Sequence, residues 1–155
     1  MRCNLFLITL LFFMCFGLRA SGQGVAASWP VTESENYPMA LDEVRHRLFI
    51  VTRRPPRLLV YDTETGKPLA TIEAGRDSDD VFYDAAQRRI YASFGEGQVM
   101  VYEQTDTERY KVVARIPTAP GARTAFFSPE LGQLFVAVPH RTNPTAEILV
   151  YQVVP

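Results

Sequence analysis

Three carboxylates stand close together in Asp77-Ser78-Asp79-Asp80, a set of hard oxygen donors of the kind that holds a calcium-like cation. The run lacks the alternating spacing and the central glycine of a calcium loop. Asp and Ser also favour turns, so a solvated turn leading into a strand is the preferred reading. Around it in the sequence lie Arg53, Arg54, Arg76, Arg123 and Arg141, whose guanidinium forks match a carboxylate or a phosphate. The same arginines can instead pair with neighbouring acids on an exposed surface, where such pairs add little stability, and this is the preferred reading for them. His46 and His140 are the only histidines. They are expected on opposite faces, which excludes a multi-histidine metal or haem site within one chain. His140 has no serine or cysteine motif beside it, since Gly-x-Ser-x-Gly is absent, and a base without a partnered geometry is a surface loop residue. Gly95-Glu96-Gly97 lacks the third glycine and the following helix of a dinucleotide motif, and reads as a hairpin turn. Asn143-Pro144-Thr145 fails as a glycosylation acceptor because proline holds the middle position.

The elements that would position these residues come in three copies. The stretch Asp79 to Glu103 reads as a short strand, a polar turn at Ala85 to Arg88, a strand at Arg89 to Phe94, the Gly-Glu-Gly turn and a strand at Gln98 to Glu103. Asp42, Asp84 and Ser128 recur at one position, spaced by 42 and 44 residues, and Leu48, Ile90 and Leu134 recur at the same intervals. The third strands read Leu58-Leu-Val-Tyr61-Asp, Val99-Met-Val-Tyr102-Glu and Ile148-Leu-Val-Tyr151-Gln. Their repeated tyrosines therefore belong to the packing of the repeat and not to a ligand-stacking site. Pro68 to Ile72 makes a fourth strand whose leading proline suits an outer edge. A period of this size with four strands is a propeller blade, which buries its faces only by stacking on neighbours. The fold class is all-β, a partial β-propeller of three four-stranded antiparallel blades, spanning about 37–78, 79–121 and 122–155. The last blade stops after its third strand, and Trp29 to Thr32, in a small and polar leader at 23–36, is the candidate for the missing outer strand.

Ahead of the leader, Arg2, the twelve-residue apolar run Leu5 to Phe16 and Ala20-x-Gly22 have the form of a secretory signal peptide over residues 1–22. The run is too short for a stable membrane span, which needs about 20 residues. Cys3 and Cys15 both fall within residues 1–22, so a processed chain holds no thiol and no disulfide. Lysine and arginine number 16 against 17 acidic residues, and loss of Arg2 and Arg19 makes the balance more acidic still. That excludes a general basic field for nucleic acid. The expected location is periplasmic or extracellular.

At Tyr37 to Pro155 the chain resembles the YVTN-type β-propeller repeats, exported relatives of the WD40 propellers. Phe49-Ile50-Val51-Thr52, Tyr91-Ala92-Ser93 and Phe135-Val136-Ala137 look like the signature strand, and Asp62-Thr63-Glu64-Thr65-Gly66-Lys67 looks like the family's glycine turn. The second and third copies lack that turn. The resemblance implies a ring of about seven blades, and three repeats make this a shortened member. It fixes architecture and leaves activity open, because the fold carries many functions.

Inner-strand-first blades bring the loops between blades and those between second and third strands to one face. The candidate ligand-binding residues on that face are Arg53, Arg54, Arg76, Asp77, Asp79, Asp80, Arg123, His140 and Arg141. No catalytic residue, metal or cofactor is expected. The partner is an unspecified protein or small molecule, and the open blade faces offer self-association. The competing reading is a remnant or relative of a propeller enzyme, lactonase-like or quinone- or haem-using, whose catalytic blades are absent.

Overall fold

Alternating apolar residues, broken every five to nine positions by Asp, Gly or Pro turns, fold into strands, the one kind of regular element among the described residues. The computed structural model describes residues 24–140 and 145–154. Blade 1 is β1 (Ser34–Asp42), β2 (Arg47–Arg54), β3 (Pro56–Asp62) and β4 (Pro68–Glu73). Blade 2 is β5 (Ser78–Asp84), β6 (Arg89–Phe94), β7 (Gln98–Gln104) and β8 (Tyr110–Pro117). Blade 3 is β9 (Thr124–Ser128), β10 (Gln133–Val138) and β11 (Glu147–Gln152). Each sheet is an antiparallel meander in chain order. β1 meets β5 and β5 meets β9, so the first strand of every blade is the inner one, as the repeat pattern predicts.

The middle strands carry the core. Phe49, Val51, Leu58 and Val60 of blade 1 pack on Val81, Ile90, Ala92, Phe94, Met100 and Tyr102 of blade 2. On its other face blade 2 sets Tyr91, Val99 and Val101 against Phe127, Leu134, Val136 and Val138 of blade 3.

The recurrent Asp, Asp, Ser position holds the first turn of each blade. Asp42 Oδ1 accepts the Arg45 N–H at 3.2 Å, Asp84 Oδ1 accepts those of Ala86 and Gln87 at 3.0 and 3.2 Å, and Ser128 Oγ accepts that of Leu131 at 3.3 Å. All three are buried, which is why only short oxygen-bearing side chains occur there. The glycine turn is built the same way. Asp62 Oδ1 accepts from the Thr65 hydroxyl and from the Thr65 and Glu64 amides, and these bonds hold its carboxyl below the ordinary carboxylate range.

The leader departs from its expected place. Trp29 to Thr32 forms no strand and adds none to blade 3. Trp29 and Val31 instead lie on the outer face of blade 1, over Ile50, Leu59 and Tyr61. The physical reason is proximity: the leader runs directly into β1, which begins at Ser34, whereas blade 3 stands on the far side of blade 2. Gly66, at φ +69°, lets the indole close down, because a Cβ there would lie 2.3 Å from Trp29 Nε1. Gly66→Ala is therefore expected to displace the indole. It should red-shift the fluorescence of the single tryptophan and cost about 1–3 kcal/mol through overpacking and the left-handed backbone. Gly24→Ala, which meets nothing within 4 Å, should leave both the spectrum and the urea midpoint unchanged.

Candidate functional site

The turns between second and third strands and the junctions between blades gather at one end of the sheets, and most of the candidate charges meet there. Arg53 ends β2, Asp77 and Asp79 flank the start of β5, and Arg123 precedes β9, so three blades contribute. Arg123 donates from Nη1 to Asp77 Oδ2 at 2.7 Å, and its Nε lies 2.8 Å from Asp79 Oδ2. Arg53 Nη2 is 3.2 Å from Asp77 Oδ1 and also donates to Asp79 Oδ1. The result is a closed ring of two guanidinium and two carboxylate groups with no net charge.

Backbone geometry holds this ring. Asp77 sits at φ +61°, a region that aspartate tolerates better than most residues. Its carbonyl accepts the Gly95 N–H at 2.8 Å, and a Cβ on Gly95 would lie 2.2 Å from Asp77 Oδ2. Gly95 thus makes room for the carboxylate, while Gly97 takes φ +101° to close the turn. Arg53 is fixed further by its Nε donating to the Ser78 carbonyl at 3.1 Å and by the Tyr37 ring, 4.7 Å from its Cζ. The hydrogen bond to Asp77 is the main influence that raises the Arg123 guanidinium further above its ordinary value, with the charges of Asp77 and Asp79 adding to it.

Asp80 points away from the ring. Its Oδ2 accepts the Ala125 N–H at 2.8 Å and ties β5 to β9, and partial burial raises its carboxyl above the ordinary value against the pull of that bond. Asp77 and Asp79 therefore share the two guanidinium groups while Asp80 serves the Ala125 amide, and the three carboxylates do not turn to one point. Among the described residues no group of three His, Cys, Asp or Glu side chains is placed to hold a metal.

The remaining candidates fall outside the ring. Arg54 pairs with Glu35 at 2.9 Å yet keeps most of its side chain in solvent. Arg76 is exposed, with no carboxylate at ion-pair distance among the described residues. Glu35, Arg53, Arg54, Arg76 and Asp77 surround a shallow cleft of about 290 Å³ between blades 1 and 2. His140 lies exposed in the turn after β10, well apart from that cleft in sequence and in blade. His46 is at the β1–β2 turn, the opposite end of the sheet, 4.0 Å from Glu64. Arg141 lies outside the described residues. A larger cleft of about 520 Å³ opens beside blade 3, lined by Arg123, Thr124, Ala137, Pro139 and Ile148 among others.

Sequence reasoning missed Glu35 and Tyr37 as part of this end of the molecule. Both stand in β1, and the polar look of the leader hid Ser34–Asn36 as strand. The signal available was the first hairpin: its register from Asp42 and Arg47 carried backwards sets Glu35 opposite Arg54, and a bulge between Asn36 and Met39 shifts the observed partner by one residue to Ser34.

No helix among the described residues is long and apolar enough to cross a membrane. No protein-family model matches the chain, and no curated protein sequence matches it. Solved structures do. Hydrazine synthase of Kuenenia stuttgartiensis superposes with a TM-score of 0.64 at 14% identity over 74% of this chain and 33% of that one. A Bacteroides uniformis protein named for 6-phosphogluconolactonase activity gives 0.61 at 15% identity, over 77% and 37%. A chain of a nidogen–laminin complex gives 0.59 at 18%, over 76% and 44%. The chain thus spans between a third and a half of the length of these neighbours. They are all β-propeller proteins, and the chain shares their fold: an all-β, partial β-propeller of three antiparallel blades.

Proposed function

We propose that the chain is an exported propeller repeat module of the YVTN type, with a binding or scaffold role carried by its loop-rich face. The observation that supports this reading is how the arginines of that face are divided. Arg53 and Arg123 are neutralised by Asp77 and Asp79 and brace three blades, whereas Arg54 and Arg76 stand exposed around a cleft between blades 1 and 2. A braced, neutral frame carrying the solvent-exposed guanidinium groups of Arg76 and of Arg54, the latter shared with Glu35, suits recognition of a carboxylate or phosphate on a protein or small molecule. The signal-peptide form of residues 1–22 supports export.

Titration of the purified chain with inorganic phosphate and with an acidic peptide, followed by amide chemical shifts, tests the assignment. Exposed ion pairs contribute up to about 1 kcal/mol each, so Arg54→Ser with Arg76→Ser should weaken binding about tenfold. Unchanged shifts and affinity in the double variant would remove the loop-rich face from the reading. The second reading, a relative of a propeller enzyme, is favoured by the lactonase and hydrazine synthase names among the structural neighbours. A chromophore or stoichiometric metal that copurifies with the chain would select it.

A further inference from the structure

The tyrosine that ends each third strand makes one repeated contact. Tyr102 Oη donates to the Glu73 carbonyl at 3.1 Å, and Tyr151 Oη to the Pro117 carbonyl at 3.3 Å, in each case the last residue of the preceding blade's outer strand. Tyr61 makes the same bond at 3.2 Å, and its acceptor is Pro30 of the leader. The leader thus occupies the place of the outer strand of a blade before blade 1.

Its sequence agrees. Val25-Ala26-Ala27-Ser28-Trp29-Pro30 matches the end of β8, Val112-Val113-Ala114-Arg115-Ile116-Pro117, position by position in apolar character, with Val, Ala and Pro identical. Yet it pairs with no strand among the described residues, and Val25 is 88% exposed. At the other end of the arc, β11 pairs only with β10 among the described residues, so its outer edge is open. Ile148 and Val150 of blade 3 are more than half exposed on the face turned away from blade 2, beside the half-buried Phe135 and Ala137, and Phe126, 62% exposed, meets blade 2 only through the Phe82 ring. Tyr37, Met39 and Leu41 are similarly exposed on β1. A segment in the place of an outer strand and a sheet with an open outer edge among the described residues therefore sit at opposite ends of the arc, with blade 2 between them. They cannot meet within one arc, because the leader is held on blade 1.

We propose that two copies of this chain join end to end, the leader of each adding the fourth strand to blade 3 of the other, and close a six-bladed ring. Two arcs related by a two-fold axis use both complementary ends and leave no blade face uncovered. The repeat also sets the register. Leu58 pairs with Ile72 and Val99 with Ile116, and Val60 pairs with Ala70 and Val101 with Ala114. By the same offsets Ile148 faces Trp29, and Val150 faces Ala27, of the second copy. Directly opposed residues of antiparallel strands have Cβ atoms about 4.5–5.5 Å apart, close enough for a cysteine pair to bridge with small adjustment.

The experiment uses the chain as recovered from expressing cells, measured by light scattering on a sizing column at micromolar concentration. A mass twice that of one chain is expected. Ala27→Cys with Val150→Cys should give a covalent dimer under mild oxidation, and neither single variant should, which controls for any native cysteine retained. Ile148→Glu, on a side chain 60% exposed in one arc, should halve the mass with the far-ultraviolet spectrum of the blades retained, while the fluorescence of Trp29, which loses the strand it faces, shifts. A folded monomer, a ladder of larger species, or a dimer indifferent both to Ile148→Glu and to the cysteine pair would each overturn the proposal.

Discussion

Val101→Asp is expected to cost several kcal/mol of stability, whereas Glu96→Ala should cost less than about 0.5 kcal/mol. Val101 lies mid-strand in β7, opposite Tyr91 and Ala114, and is 7% exposed within the cluster that joins blade 2 to blade 3. An aspartate there would find no cation. The nearest guanidinium in the register, Arg89, already serves Glu103, Gln87 and the Val154 carbonyl. The variant must therefore take up a proton, admit water or separate the blades, and each of these is expensive. Glu96 is exposed at the tip of the β6–β7 turn and only accepts from Gln98. Urea unfolding of both variants beside the parent checks the contrast. Equal midpoints would mean that the β7 face is not an interface between blades.

The blade-by-blade plan was readable because a propeller writes each structural requirement several times. Arg47 faces Asp62, Arg89 faces Glu103 and Gln133 faces Gln152, one cross-strand pair expressed in three chemistries. The anchoring Asp, Asp, Ser and the third-strand tyrosines recur in the same way, so chance agreement is easily excluded. The leader was not readable by that route. It belongs to no sheet among the described residues and is separated from β1 by a bend at Thr32–Glu33. Its likeness to β8 shows only when the third-strand tyrosine is followed to its acceptor. The candidate site was half legible. Composition placed arginines and aspartates on one end of the sheets, but which of them cancel depends on backbone detail such as the φ of Asp77 and the missing Cβ of Gly95. Neither follows from residue type alone.

The ionic ring and the blade contacts answer to different physics. Asp77, Asp79, Arg53 and Arg123 are each roughly a quarter to two-fifths exposed, so their attraction is screened by solvent and salt and fixes geometry more than it stabilises. Cohesion between blades comes from the apolar faces. The aromatic pairs Phe49–Tyr83 and Phe49–Tyr110 join blades 1 and 2, and Tyr91–Phe127 joins blades 2 and 3, with centroids 5.0 to 5.9 Å apart. Raising the salt concentration should accordingly leave the blades assembled.

Alkaline pH should not. Burial pushes the phenols of Tyr83, Tyr91 and Tyr110 up to about 12, with Asp42 adding to the effect at Tyr83 and Asp84 at Tyr91. Tyr102, fully buried against blade 1, is raised for the same reason. A phenol whose folded value lies above its unfolded value of about 10 favours the folded state while it is neutral. That stability is complete below pH 10 and is lost as the pH climbs through about 12, since the unfolded chain ionises first. Two units correspond to roughly 3 kcal/mol for a fully buried group. Discounted for the partial exposure of Tyr83 and Tyr110, the three together still amount to several kcal/mol, a large share of the stability of a small domain. The urea midpoint is therefore expected to fall steeply between pH 10 and pH 12, with phenolate absorbance rising late and in step with loss of β-sheet signal. All of these rings lie at junctions between blades, so ionisation should unfold blades together and not one at a time. Smooth titration of every tyrosine near pH 10 with the sheet signal intact would show that these phenols stand in water, and that the blades are not joined through them.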